Sequence, residues 1–203
     1  MTDPKDSYWN DGSDIYQYPN STILKNIPGV TDAAELEALE LNATVVRLPE
    51  AMSAMQDKPI TLKLWQEIHH ILFQDIYEWS GVFRTVQMSK GNTLFAHPEN
   101  IESEGKRVFD ELSRENFLQG LALNDLCRRL AYYFSECNAL HPFREGNGRT
   151  QKLLFGEILK RLGYRIDWKK LSVEEHLKAM VEAHNQRPEQ LIGGFLRILS
   201  KEI

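Results

Sequence analysis

The stretch HPFREGNGR at residues 141–149 carries more chemical information than any other part of this chain. Within it, His141 can accept a proton and Glu145 can hold a hard cation such as Mg²⁺. Gly146 and Gly148 have no side chain, so their backbone N–H groups can approach an anion closely. The residue types that phosphate chemistry requires are thus collected in one short segment.

The other polar residues of the stretch add hydrogen-bond donors. Asn147 and Arg149 can both donate to phosphate oxygens. A helix is expected to begin near Arg149, and the first N–H groups of a helix bind anions well. A cation in the first turn is unfavourable by itself, because the helix dipole is positive there. Arg149 therefore indicates a polyphosphate at this position, with Mg²⁺ bridging it to Glu145.

Composition restricts the class of protein. The chain has 203 residues, of which 42% are hydrophobic and 26% charged, which is typical of one globular domain with a sizeable core. A net charge of −5 argues against nucleic acid as a direct ligand, because such domains are usually basic. No signal peptide and no membrane span is visible. Cys127 and Cys137 should lie roughly 15 Å apart on one helix, so we expect reduced thiols and a cytoplasmic location.

Apolar periodicity predicts a mainly helical chain. A first helix is expected from about Asp32, whose spacing to Glu35 fits a helix cap. Further helices are predicted over residues 61–78, 99–117, 123–139, 149–162, 172–184 and 187–200. Residues 81–98 predict a short hairpin that turns at Gly91-Asn92, the only strand pair of the chain. We expect one all-α domain over residues 1–203, with a leader at residues 1–14 and a core of about residues 15–200.

Other phosphate-binding and metal-binding motifs fit less well. The chain contains no GxxxxGK[ST] sequence. A dinucleotide-binding fingerprint fails because Gln151 stands where the third glycine should be and a helix precedes the motif. No HExxH motif is present. The pair His69-His70 on a helix predicts one buried and one exposed imidazole rather than a metal site.

The extended stretch HPFREGNGRTQK resembles the signature HxFx[D/E]GNGRxxR of the Fic domain (filamentation induced by cAMP). Seven of its eight specified positions match. The resemblance extends over about residues 15–200 and implies a helical bundle whose signature loop joins two central helices. It also implies a β-hairpin flap over the active site, formed by the segment EWSGVFRTVQMSKGNTLFA.

This resemblance implies a protein adenylyltransferase, an enzyme that moves AMP from Mg·ATP to a Tyr, Thr or Ser hydroxyl of a target protein. His141 would deprotonate the hydroxyl, and Glu145 would hold Mg²⁺ between the α- and β-phosphates. Phe143 would anchor the loop in the core. The anion cradle and the charge that neutralises the leaving group would come from Gly146, Asn147, Gly148 and Arg149.

One signature position departs from the family. The last arginine is Lys152 here, which keeps the charge but lacks the planar bidentate guanidinium. The resemblance implies a contact between this position and the terminal phosphate. We therefore expect altered nucleotide orientation rather than loss of activity.

The resemblance also implies partners. Many Fic proteins are inhibited by a helix with the motif [S/T]xxxE[G/N], and only Thr31 and Glu35 have that spacing here, with Leu36 in place of Gly or Asn. We interpret this pair as the start of the first helix. A separate small antitoxin is therefore expected to supply the inhibitory glutamate. The flap would dock the target by main-chain pairing, and the residues assigned to that docking are Lys90, Gly91, Asn92 and Thr93.

Three hypotheses for the function remain open at this stage. The first is AMP transfer by a bacterial toxin or effector. Such a protein would act in the cytoplasm of the bacterium or, after secretion, in that of a host cell. The second is transfer of another phosphate-containing group, such as UMP, phosphocholine or phosphate. The third is a degenerate domain kept as a binding module, which Lys152 alone would support.

Overall fold

The computed structural model describes residues 8–9, 14–91 and 93–201, and within these ranges the chain is mainly helical. Its helices there are Ala33–Met55 (α1), Leu62–Phe73 (α2), Ile101–Arg114 (α3), Leu123–Leu140 (α4), Asn147–Arg161 (α5), Val173–His184 (α6) and Glu189–Ile198 (α7). Its short strands are Tyr8–Trp9 (β1), Ser89–Lys90 (β2), Thr93–Leu94 (β3), Tyr164–Ile166 (β4) and Leu199–Lys201 (β5). The predicted all-α bundle with a small hairpin is confirmed.

Three helices begin at the capping residues that the sequence offers. The Asp32 carboxylate accepts the backbone N–H of Glu35 at 2.9 Å, as predicted for the start of α1. The Thr61 hydroxyl accepts the N–H of Leu64 at 3.1 Å at the start of α2. At α6, Ser172 and Glu175 form a reciprocal capping box.

Several helix boundaries differ from the expectation, among them both ends of α3 and of α7, and two further differences have a clear local reason. Helix α2 ends at Phe73 instead of residue 78, because the Phe73 carbonyl accepts the N–H groups of both Ile76 and Tyr77 and closes a turn. Helix α5 begins at Asn147, two residues before Arg149, because Gly146 turns the chain directly into it.

Helices α4 and α5 form the centre of the bundle. Helix α4 packs against α3, α5, α6 and α7, and α5 also packs against α2. Leu126, Leu130 and Phe134, which follow one another at intervals of four residues on α4, form a buried apolar stripe. Burying each such side chain stabilises the folded state by about 1.5–3 kcal/mol, so these contacts hold α4 in the core. Cys127 and Cys137 are buried free thiols, as expected.

Two small antiparallel sheets accompany the bundle. Strands β2 and β3 form the predicted hairpin, with Lys90 opposite Thr93. Strand β1 pairs with the other edge of β2, and β4 pairs with β5. The prediction that the hairpin is the only strand pair is therefore wrong. Strands of two or three residues are too short to show an alternating pattern in the sequence.

The start of the core lies slightly earlier than expected. Asp14, the last residue of the expected leader, forms an ion pair with Arg144 at 2.6 Å, and the two side chains are 1% and 5% exposed. Asp14 therefore packs with the folded core, directly against the signature loop. None of the described helices has the length and apolar character that a membrane span requires.

Candidate active site

Residues 141–149 join the end of α4 to the first turn of α5. His141 ends α4 in the left-handed conformation with φ 43°, and Gly146 precedes α5 with φ 80°. A Cβ on Gly146 would lie closer than 3.0 Å to the ring of Phe73, so both the conformation and the space require glycine there. A Cβ on Gly148 would meet no atom within 4 Å. The loop thus uses one glycine for its own fold and leaves open space beside the other.

A buried histidine on α2 holds the loop by its backbone. The Nδ1 atom of His69 accepts the N–H of Gly81 at 2.8 Å, so its Nε2 carries the proton and donates to the Glu145 carbonyl at 2.9 Å. Burial lowers the pKa of His69 to about 3, which keeps the ring neutral. His70 is exposed, so the prediction of one buried and one exposed imidazole is confirmed.

A buried arginine joins the loop to the flap. The backbone N–H of Arg84 donates to the Pro142 carbonyl at 2.9 Å, and its Nε donates to the His141 carbonyl at 2.7 Å. Its terminal nitrogens donate to the carbonyls of Val86 at 2.7 Å and Ala96 at 2.6 Å, on the two sides of the hairpin. One guanidinium therefore fixes the flap relative to the end of α4.

The middle of the loop is anchored in the core. Phe143 is fully buried, as expected for a residue that anchors the loop. The centre of its ring lies 3.9 Å from that of His69 and 5.7 Å from that of Trp65. The Asn147 amide donates to the Phe143 carbonyl at 2.7 Å and accepts its N–H at 2.9 Å. Both ends of this amide thus serve the loop itself, so an anion would meet the backbone N–H of Asn147 rather than its side chain.

A cavity of about 220 Å³ lies between the flap, the loop and α6. We call it the His141 cavity. The flap contributes Lys90, Thr93 and Phe95, the central helices and loop contribute Asn138, His141, Gly148 and Lys152, and α6 contributes His176, Leu177, Met180 and Val181. The candidate base, one candidate glycine and the candidate lysine therefore meet at one place, beneath two of the predicted flap residues.

His141 lies in this cavity as a neutral imidazole. It is 6% exposed, and its ring stacks on Phe95 at 3.8 Å with 11° between the planes. Burial and the nearby charge of Arg84 lower the pKa of His141 to about 3, although a hydrogen bond with the backbone of Asn138 opposes them. At neutral pH the ring can therefore accept a proton.

Lys152 lies half-buried in the same cavity. Its Nζ stands 5.2 Å from the centre of the Trp168 ring, close enough for a cation–π interaction. Burial lowers the pKa of Lys152. None of the ion pairs among the described residues involves Lys152, and the Trp168 ring stabilises its charge without neutralising it.

Glu145 and Arg149 lie on the other face of the loop, toward α1. They line a second cavity of about 450 Å³, which we call the α1 cavity. The Arg149 guanidinium bonds to the Glu40 carboxylate, lies 3.3 Å from that of Glu145 and stands 4.7 Å over the ring of Phe73. Tyr77 donates a hydrogen bond to the same Glu40.

This arrangement changes one step of the sequence reasoning. A cation in the first turn of α5 indicated a bound polyphosphate, but Glu40 and Glu145 already neutralise Arg149 within the protein. Burial raises the pKa of Glu40, while the charge of Arg149 opposes that rise. A phosphate group would therefore compete with two carboxylates for this arginine.

The flap residues fall into two groups. Lys90 and Thr93 line the His141 cavity, and the turn residue Gly91 has φ 56°. Asn92, also predicted to dock the target, lies outside the described residues. Because β1 covers one edge of β2, strand β3 offers the uncovered edge of this sheet as far as the structure describes it.

Sequence reasoning missed several residues that shape the site. His69, Arg84 and Glu40 act on the loop from positions 57 to 109 residues away in sequence. No local pattern identifies the partners in such contacts. Only the segment around Arg84 carries a signal, because a charged arginine at an apolar position of an alternating pattern needs hydrogen-bond acceptors when it is buried.

Comparison with known proteins assigns the family. Residues 59–159 match the model of the Fic/DOC family. A probable protein adenylyltransferase Fic of Salmonella typhimurium is 34% identical over 82% of this chain and 82% of its own length. The chain belongs to the Fic/DOC family.

Other Fic relatives agree. A probable protein adenylyltransferase of Sinorhizobium fredii is 32% identical over 86% of this chain and 90% of its own length. The protein adenylyltransferase VbhT of Bartonella schoenbuchensis is 37% identical over 85% of this chain, which spans 36% of that relative. The Fic domain predicted from residues 141–152 is thereby confirmed.

Solved structures show the same Fic fold. The N-terminal Fic domain of a VirB-translocated effector of Bartonella quintana, with bound ADP, superposes with a TM-score of 0.81 at 28% identity, over 92% of this chain and 95% of that one. The BepC protein of Bartonella tribocorum superposes with a TM-score of 0.83 at 22% identity, over 93% and 97% of the two chains. The predicted architecture of bundle, loop and flap is that of Fic domains.

Proposed function

We propose that this chain is a protein adenylyltransferase that transfers AMP from ATP to a hydroxyl group of a target protein. The observation that carries the proposal is that His141, Gly148 and Lys152 open into one cavity beneath the flap. Its Fic relatives of similar length are named probable protein adenylyltransferases, and a related Fic domain holds ADP.

In the proposed reaction, His141 acts as the general base. The hydroxyl oxygen of the target bonds to the α-phosphorus, the bond from that phosphorus to the bridging oxygen breaks, and pyrophosphate leaves. The hydroxyl proton passes to the imidazole. The pKa of His141 is about 3 in the free site, and a bound polyphosphate would offset the cations that lower it and bring it closer to working pH.

The phosphates would lie along the start of α5. The backbone N–H groups of Asn147 and Gly148 and the cleared space at Gly148 suit an anion. Lys152 would meet the chain of phosphates from the His141 cavity, and Arg149 would neutralise pyrophosphate from the side of the α1 cavity. Gly146 contributes by turning the backbone into this position.

Glu145 is the proposed ligand of Mg²⁺. The ion is usually held by one or two carboxylates together with substrate phosphates, and Glu145 is the carboxylate of this loop. Its Oε1 accepts the N–H of Gly146 at 2.8 Å, which orients the group. The ion would supply positive charge next to the transferred phosphate.

Labelled nucleotides test the reaction. The purified chain is incubated with a cell lysate and ATP labelled at the α- or the γ-phosphate. AMP transfer predicts a protein band labelled from the α-position only. The inactive control is His141→Asn, because asparagine tolerates the left-handed conformation of this residue better than alanine does.

The other outcomes identify the alternatives. Label from the γ-phosphate would indicate phosphate transfer, and label only from UTP or a phosphocholine donor would indicate another transferred group. No label from any donor, together with tight binding of a partner protein, would make the chain a binding module. Equal labelling by wild type and His141→Asn would refute the role of His141.

We further propose that a separate small antitoxin restrains the enzyme by docking on α1. This helix exposes an apolar stripe whose spacings alternate between four and three residues, as in a coiled-coil seam. Its members are Ala34, Ala38, Leu41, Val45, Leu48 and Met52. Leu41 also lines the α1 cavity, so an occupant of the stripe would lie next to the signature loop.

Charge favours a basic helix as that occupant. Within Ala33–Met55 there are four glutamates and one arginine. A second copy of α1 would bring like charges together, whereas a helix with an apolar seam and basic flanks would not. The glutamate that such a partner supplies would pair with Lys152, which has no carboxylate partner among the described residues.

Growth measurements test this restraint. Expression of the chain alone should arrest growth, and His141→Asn should relieve the arrest. Harmless expression of a wild-type chain that labels proteins in the lysate would count against the antitoxin. The two buried free thiols, Cys127 and Cys137, are consistent with the proposed place of action, which is a reducing cytoplasm.

A further inference from the structure

His176 on α6 is a cavity residue for which the proposed reaction has no role. It lies in the His141 cavity with Lys152 and Gly148. Its ring packs edge-on against two aromatic rings, those of Phe134 and Trp168, each at 5.9 Å with 75° between the planes. Trp168 is also the ring over which the Lys152 ammonium stands. The imidazole and the ammonium therefore share one aromatic wall.

The burial of one ring nitrogen determines where the proton of His176 lies. Its Nδ1 atom is covered and has no hydrogen-bond partner among the described residues. A buried N–H without an acceptor costs more than a buried lone pair. The neutral ring therefore carries its proton on Nε2, which becomes a hydrogen-bond donor.

The imidazole stays neutral beside the lysine. Burial, together with the charge of Lys152, lowers the pKa of His176 to about 4. The cavity thus presents a full positive charge and a neutral N–H donor from two different helices. Such a pair suits an anion with several oxygens, because one oxygen can form an ion pair with the ammonium while another accepts a hydrogen bond from the imidazole.

We propose that His176 donates a hydrogen bond to the terminal phosphates of the bound nucleotide alongside Lys152, which rests on the proposed function of this site. A lysine alone provides a point charge without the fixed geometry of two parallel donors. With His176 held rigidly by its aromatic neighbours, the two side chains together fix the direction of the phosphate chain. His176 is a binding residue in this scheme and takes no part in proton transfer.

Binding measurements with three nucleotides test the proposal on the full chain. Dissociation constants are measured for AMP, ADP and a non-hydrolysable ATP analogue. His176→Leu should weaken binding of the analogue by about tenfold, the factor expected for one charge-assisted hydrogen bond, and that of AMP by less than about twofold. His176→Gln retains an N–H donor and should bind the analogue within about threefold of wild type.

A matched control lies on the same helix. His184 is the last residue of α6 and is exposed, so His184→Leu should leave all three dissociation constants unchanged. Equal weakening of AMP and of the ATP analogue by His176→Leu would place the residue at the base or sugar and overturn the proposal. No weakening at all would also overturn it. A wild-type chain that binds none of the nucleotides would instead refute the proposed function.

Nuclear magnetic resonance of the wild-type imidazoles provides a test that needs no variant. We expect the proton of His176 to be on Nε2 in the free protein. Its chemical shift should move downfield when the ATP analogue binds, and it should not move when AMP binds. A proton on Nδ1 in the bound state, or identical shifts with both nucleotides, would contradict it.

Discussion

The two glycines of the signature loop should respond oppositely to the same substitution. Gly146 has φ 80°, and its added Cβ would overlap the Phe73 ring, whereas a Cβ on Gly148 would have no atom within 4 Å. Gly146→Ala and Gly148→Ala therefore compare two identical chemical changes, two residues apart. The first tests the fold of the loop, and the second tests its proposed contact with phosphate.

The cost of Gly146→Ala follows from two unfavourable terms and one favourable term. Holding alanine in the left-handed conformation costs about 1–2 kcal/mol. Forcing a methyl group against a packed ring costs about 1–3 kcal/mol more. The lower entropy of alanine in the unfolded chain returns about 0.4–1 kcal/mol. We therefore expect a loss of roughly 2–4 kcal/mol in the free energy of unfolding.

Gly148→Ala should leave the fold intact. Gly148 lies in the first turn of α5, where alanine is the better helix former by up to about 1 kcal/mol. Because Gly148 lines the His141 cavity, its new methyl group would instead occupy space that the phosphates need. Nucleotide affinity should fall at least about tenfold while the free energy of unfolding is unchanged or slightly higher.

Urea and thermal unfolding measure the stability of the two variants, and nucleotide titration measures their affinity. The Tm of Gly146→Ala should fall by roughly 5–15 °C for a chain of this size. Phe73→Leu removes part of the overlapping ring, so combining it with Gly146→Ala should cost less than the sum of the two single changes. Equal stability losses for the two glycine variants, or additive costs with Phe73→Leu, would refute the reasoning.

Three further predictions follow from buried charges. Folding lowers the pKa of His69 and of His141 from 6.5 to about 3, so the folded protein has its full stability above pH 6.5 and each histidine should reduce the free energy of unfolding by about 2 kcal/mol at pH 5. Urea midpoints at pH 7 and pH 5 measure this loss. The control His97→Gln, at an exposed histidine, should show the same loss as the wild type. Glu40→Gln should strengthen ATP binding several-fold, because a carboxylate no longer competes for Arg149, and should destabilise the fold by about 1–3 kcal/mol; weaker binding would contradict this. Lys152→Arg should raise the rate of AMP transfer, and unchanged kinetics would exclude a role of this position in orienting the nucleotide.

Local patterns were sufficient to predict the helices and the loop. Asp32 caps α1 as its spacing indicated, and the stripe that ends at Phe134 is buried. Apolar periodicity reports which face of a helix is buried, and the stripes on these helices are long enough to be read. The end of α2 and the strands β4 and β5 were missed because each depends on a few backbone hydrogen bonds rather than on side-chain order.

The chemistry of the loop was predictable residue by residue, but its surroundings were not. The sequence indicates that Arg149 is a cation in a helix first turn, yet only the folded chain brings Glu40 to it from α1. The same holds for Asp14 and Arg144, which are 130 residues apart. Contacts of this kind are selected by three-dimensional packing and leave no periodic trace.

The division of the loop between two cavities links the proposed restraint to the proposed reaction. The His141 cavity holds the candidate base and Lys152, while the α1 cavity holds Arg149 and Glu145. Glu145 and Arg149 flank residues 146–148 of the loop, so a nucleotide that contacts both Arg149 and Lys152 would cross the loop there. A helix bound along the α1 stripe would cover Leu41 at the rim of the α1 cavity. It would therefore approach Arg149 from the face opposite His141, and only the glutamate that it supplies would reach past residues 146–148 to pair with Lys152.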